Sequence, residues 1–138
     1  MTVFAKGTNS PSQLLSLASC GYSSVGLDWG ISARDARTYT QGKVALQGNL
    51  DPAVLHGGRP AIKREVRELV WGKDGFFTIA KEGMTGGWIV NLGHGITPGV
   101  DPEDMRYFLE RVRKECAKKS AEEAEEVSAL STGEEGGC

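Results

Sequence analysis

The 138-residue chain is long enough for one domain with a modest core, and its net charge of -2 is unevenly spread, with six Glu and no Lys or Arg from Ser120 to Cys138. The remaining residues hold 16 basic against 12 acidic side chains with no concentrated basic block, which argues against nucleic acid as a partner. Three cysteines without paired spacing indicate neither a disulfide framework nor a zinc site; no signal peptide or apolar run of spanning length is evident, so a membrane is not expected and a reducing, cytoplasmic location is.

In chain order, Thr2 to Lys6 reads as a strand and Gly7 to Ser10 as a turn. Ser10-Pro11 opens a helix that carries Leu14, Leu15, Leu17 and Ala18 and stops at Gly21. The second strand covers Val25 to Trp29, with Asp28 and Trp29 at its carboxyl end, level with Lys6 on the first. Ser32 caps a short helix through Arg37, and Gln41-Gly42 turns the chain. A third strand, Val44 to Leu50, leads into Asp51-Pro52, an N-cap followed by proline. From about Pro60 a longer helix sets Ile62, Val66, Leu69 and Val70 on one face.

Residues 72–87 are an atypical insertion, longer than the usual connection of ~2–6 residues, with a strand-like piece at Phe76 to Ala80. Trp88 to Leu92 is the fourth strand. It ends in Gly93-His94-Gly95, and Asp101-Pro102 then caps a last helix with Met105, Phe108, Leu109, Val112 and Cys116 as its buried stripe. Four βα units in succession predict an α/β fold with parallel strands and exposed first and last edges. Residues 1–119 form that unit. Residues 120–138 read as an acidic, disordered tail, except that Ala121 to Val127 can extend the last helix.

Ligands of α/β folds bind at the carboxyl ends of the strands, which brings His94 forward as the candidate binding residue, with Gly93 and Gly95 shaping its loop. The alternative is a histidine that closes a tight turn. Asp28 and Lys6 are weaker candidates. The favoured reading of Asp28 is structural, as an N-cap or as the partner of Lys6 across neighbouring strand ends. Gln47 and Asn49 are expected to hold the loop before Asp51, Trp29 to join the core, and His56 to be a solvated loop residue.

Phe4-Ala5-Lys6, Val25 to Trp29, Ala45 to Pro52 and Asn91 to Gly95 resemble, in order and spacing, the uroporphyrinogen decarboxylase family, over roughly Thr2 to Lys114. The resemblance implies a (β/α)₈ (TIM) barrel, usually homodimeric and without cofactor. Its members decarboxylate the four acetate side chains of uroporphyrinogen III to coproporphyrinogen III in haem and chlorophyll synthesis. The motifs match the last third of that barrel, so the resemblance further implies that substrate-binding arginines, an aspartate facing the pyrrole nitrogens, and a tyrosine and a serine lie upstream. Of the family's active-site residues only the histidine matches, at His94. An imidazole there can donate to a substrate carboxylate. Cobalamin-linked methyltransferases share the barrel but bind zinc through His-x-Cys, and neither His56 nor His94 has a cysteine two residues on. Two readings follow: a decarboxylase polypeptide acting on a tetrapyrrole, as a homodimer or with a complementing N-terminal fragment, or a non-catalytic α/β fragment serving as an interaction module.

Overall fold

A computed structural model describes residues 1–132 other than Thr8, with side chains as far as Lys118. Strand β1 (Thr2–Phe4) is followed by helix α1 (Pro11–Ser19), β2 (Ser24–Gly26) by α2 (Ala33–Thr40), and β3 (Ala45–Gln47) by a 3-10 helix (Pro52–Gly57) that runs into α3 (Gly58–Trp71). Helix α4 (Phe76–Lys81) comes next, then β4 (Trp88–Ile89) and α5 (Pro102–Thr132). The strands form one parallel sheet in the order β1-β2-β3-β4, so β1 and β4 are its edges.

Local chemistry sets the helix starts. The Ser10 hydroxyl accepts the Gln13 N–H at 3.4 Å, and Ser32 accepts that of Asp35 at 3.0 Å. Asp51 and Asp101 each accept the N–H two residues on, from Ala53 and Glu103, both at 2.9 Å. Gln41 closes α2 in the left-handed region, one turn beyond the Arg37 end read from sequence.

The ladders are shorter than the apolar runs. Pairing stops at Phe4, Gly26, Gln47 and Ile89, where the chains diverge into the loops; beyond them only a parallel bridge joins Leu50 to Leu92. Alternation divides the residues between two faces. Val3, Val25, Leu46 and Trp88 stand in register on one face, and Val25 and Leu46 are fully buried beneath the helices. Phe4, Gly26, Gln47 and Ile89 form the row on the other. There Phe4 is 45% and Ile89 44% exposed, since the helical cores lie on the opposite side.

Two apolar clusters fill the covered side. One joins Leu14, Val25, Leu46, Phe76 and Ile79, and the second joins Leu55, Ile62, Val66, Val70, Phe108 and Val112. In the stripe expected on α5, Leu109 is exposed, and the fully buried Glu115 takes a place beside Cys116. Burial alone would raise the Glu115 carboxyl. The Lys118 ammonium, bonded at 2.8 Å, and the charges of Arg111 and Arg67 outweigh this and hold it below the usual glutamate value.

The 72–87 segment corrects the sequence reading. Phe76 to Ala80 belongs to a helix, not a strand, because Phe76 and Ile79 lie three apart on one buried face. Phe76 stacks on Trp88 with ring centroids 4.4 Å apart. Two arginines of α2 grip the rest. Arg34 pairs with Asp74 and Glu82, both at 2.6 Å, and donates to the Lys73 carbonyl. The buried Arg37 donates to the carbonyls of Val44, Gly86 and Gly87.

The last helix also runs further than expected, to Thr132 instead of Val127, in keeping with the helix-forming Ala and Glu of this stretch. Residues 133–138 of the expected tail lie outside the described residues. Within the described residues no helix is long and apolar enough to cross a membrane.

Candidate functional site

The carboxyl ends of the strands converge on a cavity of about 420 Å³, lined by Phe4, Gln47, Asn91, His94, Ile96 and Met105 among others. Its floor is the uncovered face of the sheet. A larger hollow of about 500 Å³ lies along α3 between charged side chains such as Lys63, Arg64 and Arg67. That hollow is remote from the strand ends, so the smaller cavity is the better candidate.

His94 reaches the cavity because the turn after β4 leans toward β2. The Gly93 N–H bonds to the Leu50 carbonyl at 2.7 Å, and a Cβ on Gly93 would stand 2.5 Å from the Trp29 backbone nitrogen. Only glycine permits this approach. A Cβ on Gly95, by contrast, would meet nothing within 4 Å. The exposed imidazole sits edge-on to Phe4 and Trp29, with ring centroids 6.4 and 6.1 Å away. Neither ring nitrogen has a hydrogen-bond partner among the described residues, which leaves both for a ligand.

The other candidates separate. Asp28 is buried, and its carboxylate accepts the backbone N–H of Gly7 at 3.3 Å and of Gly30 at 3.1 Å. It ties the ends of β1 and β2 together, and it neither caps α2 nor pairs with Lys6, the roles that the structural reading expected. Lys6 is exposed and does not line the cavity. Trp29, expected in the core, is 45% exposed beside His94. His56 is exposed, yet its Nε2 lies 2.8 Å from the Thr97 hydroxyl and fastens the loop after His94 to the 3-10 helix.

Asn49 holds a loop as expected, though a different one. Its amide donates to the carbonyls of Asp28 and Ile31 at 2.9 and 2.7 Å, bracing the turn between β2 and α2. Gln47 faces the cavity instead. The signal that could have found it is alternation: Gln47 shares a row with Phe4. No group of three or more His, Cys, Asp or Glu that could hold a metal ion occurs among the described residues.

The profile of the family described as Uroporphyrinogen decarboxylase (URO-D) matches residues 1–115. This chain belongs to the uroporphyrinogen decarboxylase family. It is 43% identical over 112 residues to a protein of Schizosaccharomyces pombe, covering 80% of this chain and 28% of the relative. It is 48% identical over 99 residues to one of Alcanivorax borkumensis, covering 72% and 26%, and 44% identical over 112 residues to one of Danio rerio, covering 81% and 27%. All three relatives bear the name uroporphyrinogen decarboxylase. The chain thus spans under a third of the length of the curated relatives it matches.

Proposed function

We propose that this chain supplies the His94 wall of a cytoplasmic uroporphyrinogen decarboxylase, a carboxy-lyase that converts uroporphyrinogen III to coproporphyrinogen III without a cofactor. The observation that carries the reading is a family match over residues 1–115, a span that includes Gly93-His94-Gly95, in a chain whose strand ends open on a cavity beside that histidine. His94 binds the substrate by donating an imidazole N–H to one of its carboxylates. Phe4, Ile96 and Met105 offer apolar surface to the tetrapyrrole ring.

In each of four cycles the bond between an acetate methylene and its carboxyl carbon breaks. CO₂ departs, and the electron pair it leaves passes into a pyrrole ring protonated beforehand. A proton added to the methylene then gives the methyl group, and the ring releases the proton it had taken up, so each cycle consumes one proton net. The cationic ring needs an anion beside it. Asp28 is unsuited to that task, because two backbone amides already hold its carboxylate. The aspartate and arginines that complete the site belong, on this reading, to further strands of a (β/α)₈ barrel, which cover the exposed row of Phe4 and Ile89. Those strands come from a complementing N-terminal segment, in an enzyme that works as a homodimer.

An anaerobic assay of the purified chain with uroporphyrinogen III, following coproporphyrinogen by chromatography, tests the reading. The expected result is no turnover by the chain alone, and turnover after addition of a separately made N-terminal segment of a relative. Activity in that mixture should fall about 10²–10³-fold in His94→Ala. No turnover in the mixture, or full activity of His94→Ala, would overturn it.

A further inference from the structure

Three side-chain amides stand at the ends of β3 and β4, and two of them bond to backbone, Asn91 through its oxygen alone. Asn49 donates to the Asp28 and Ile31 carbonyls, and the Asn91 Oδ1 accepts the Leu92 N–H at 2.9 Å. Gln47 differs. It is half-buried on the central strand β3, in the row of Phe4, Gly26 and Ile89, and it lines the same cavity as His94. Its amide has no hydrogen-bond partner among the described residues.

The Phe4 side chain fills the space over Gly26 on one side of Gln47, where a Cβ would stand 2.9 Å from its ring, and Ile89 flanks the other side, so neither neighbour offers the amide a side-chain polar atom. An amide partly withdrawn from water in such surroundings gains most from a ligand that restores its hydrogen bonds. We propose that Gln47 is a substrate-binding residue whose amide N–H donates to a carboxylate of the ligand held against His94. The identity of that ligand rests on the function proposed above. A uroporphyrinogen carries eight carboxylates at its rim and offers N–H groups only toward its centre. A donor on the cavity floor therefore meets an anionic acceptor, and a bond between an amide and a carboxylate is charge-assisted.

Uroporphyrin, the stable oxidised form with the same eight carboxylates, is the probe. Its binding to the full chain is read by quenching of tryptophan fluorescence, with Trp29 beside His94 as reporter. Gln47→Leu and Gln47→Met keep the side chain's bulk but remove both polar atoms, and Gln47→Glu replaces the donor by an anion. Folding of each variant is verified by circular dichroism, so that Met stands in if Leu fails to fold. The expected outcome is a Kd raised about tenfold in Leu or Met, and more in Glu. Recovery of Gln47→Glu binding as the pH drops far enough to protonate the new carboxyl would support the donor role. If His94→Ala weakens binding while Leu and Met bind like the parent, the function stands and the role of Gln47 falls. Equal or tighter binding by Gln47→Glu would overturn the carboxylate contact. No binding by the parent chain, alone or mixed with the N-terminal segment of a relative, would overturn the proposal together with the reading of the function.

Discussion

The two faces of the sheet are built from the same few residues, alternating along each strand, yet they differ in almost every other respect. Val25 and Leu46 on one face are fully buried, whereas Phe4 and Ile89 on the other are nearly half exposed. The covered face serves stability, since it anchors the helices. The open face carries the cavity with Gln47 and His94, and its apolar surface has no covering element among the described residues. Side chains on the open face are consequently free to be chosen for a ligand.

Substitutions across the sheet sharpen this contrast. Leu46→Ala should destabilise the chain by about 2–5 kcal/mol, because it empties a fully buried site. Ile89→Ala should cost less than about 1 kcal/mol, since much of that side chain already meets water. Urea denaturation of both variants checks the pair, and equal losses would break the division into two faces.

Arg37 offers the next largest effect. Arg37→Met leaves the carbonyls of Val44 and Gly87 without their donor, for an expected loss of about 2–3 kcal/mol in the same measurement. Burial lowers the pKa of this guanidinium, which joins α2 to the Val44 carbonyl before β3 and to the Gly86 and Gly87 carbonyls before β4.

The strands and caps of this fold were legible in sequence because they depend on local chemistry. Ser10, Ser32, Asp51 and Asp101 each accept the N–H that their position predicts. Phe76 to Ala80 was misread, since a short apolar run does not separate a strand from a helix of the same length. Only the packing of Phe76 on Trp88 decides between them. The site was half legible. His94 stands out by its flanking glycines and its place after a strand, but Gln47 and Asn49 look alike in sequence. They part in space because the ladder ends at Gln47, and the turn through Gly48 swings Asn49 toward the β2 loop. Trp29 lies outside the core for a similar reason: the backbone of Gly93 presses against its own, beyond the last paired residue of β2.

The two glycines beside His94 extend the comparison to the loop. Gly93→Ala should cost about 1–3 kcal/mol and displace His94, because the new methyl would collide with the Trp29 backbone. Gly95→Ala should change neither stability nor uroporphyrin binding appreciably, as its Cβ would point into open space. Thermal melts and the quenching titration separate the two, and a reversal of their order would contradict the geometry.

The smallest expected effect is a pH dependence on the covered side. Burial opposes the charge on Glu115, but Lys118, Arg111 and Arg67 hold its folded pKa below the ordinary value of 4.5. The carboxylate therefore contributes stability that is fully present above pH 4.5 and is lost as the pH falls through the lowered folded value. Glu115→Gln should lose less stability than the parent as the pH falls below 4.5 through the lowered folded value. A parallel decline in both proteins would mean that the ion cluster contributes nothing to acid sensitivity.

The division between a structural and a ligand-facing side of the sheet is tested most directly by thiol labelling. Phe4→Cys, Ile89→Cys and Leu46→Cys are placed in turn in a chain with Cys20, Cys116 and Cys138 replaced by serine. Their rates of alkylation are measured with the chain alone and with the N-terminal segment of a relative. Positions 4 and 89 should react quickly in the chain alone, position 46 should resist, and the first two should become protected as decarboxylase activity appears. Protection of positions 4 and 89 in the chain alone, or continued rapid labelling in an active mixture, would contradict the account.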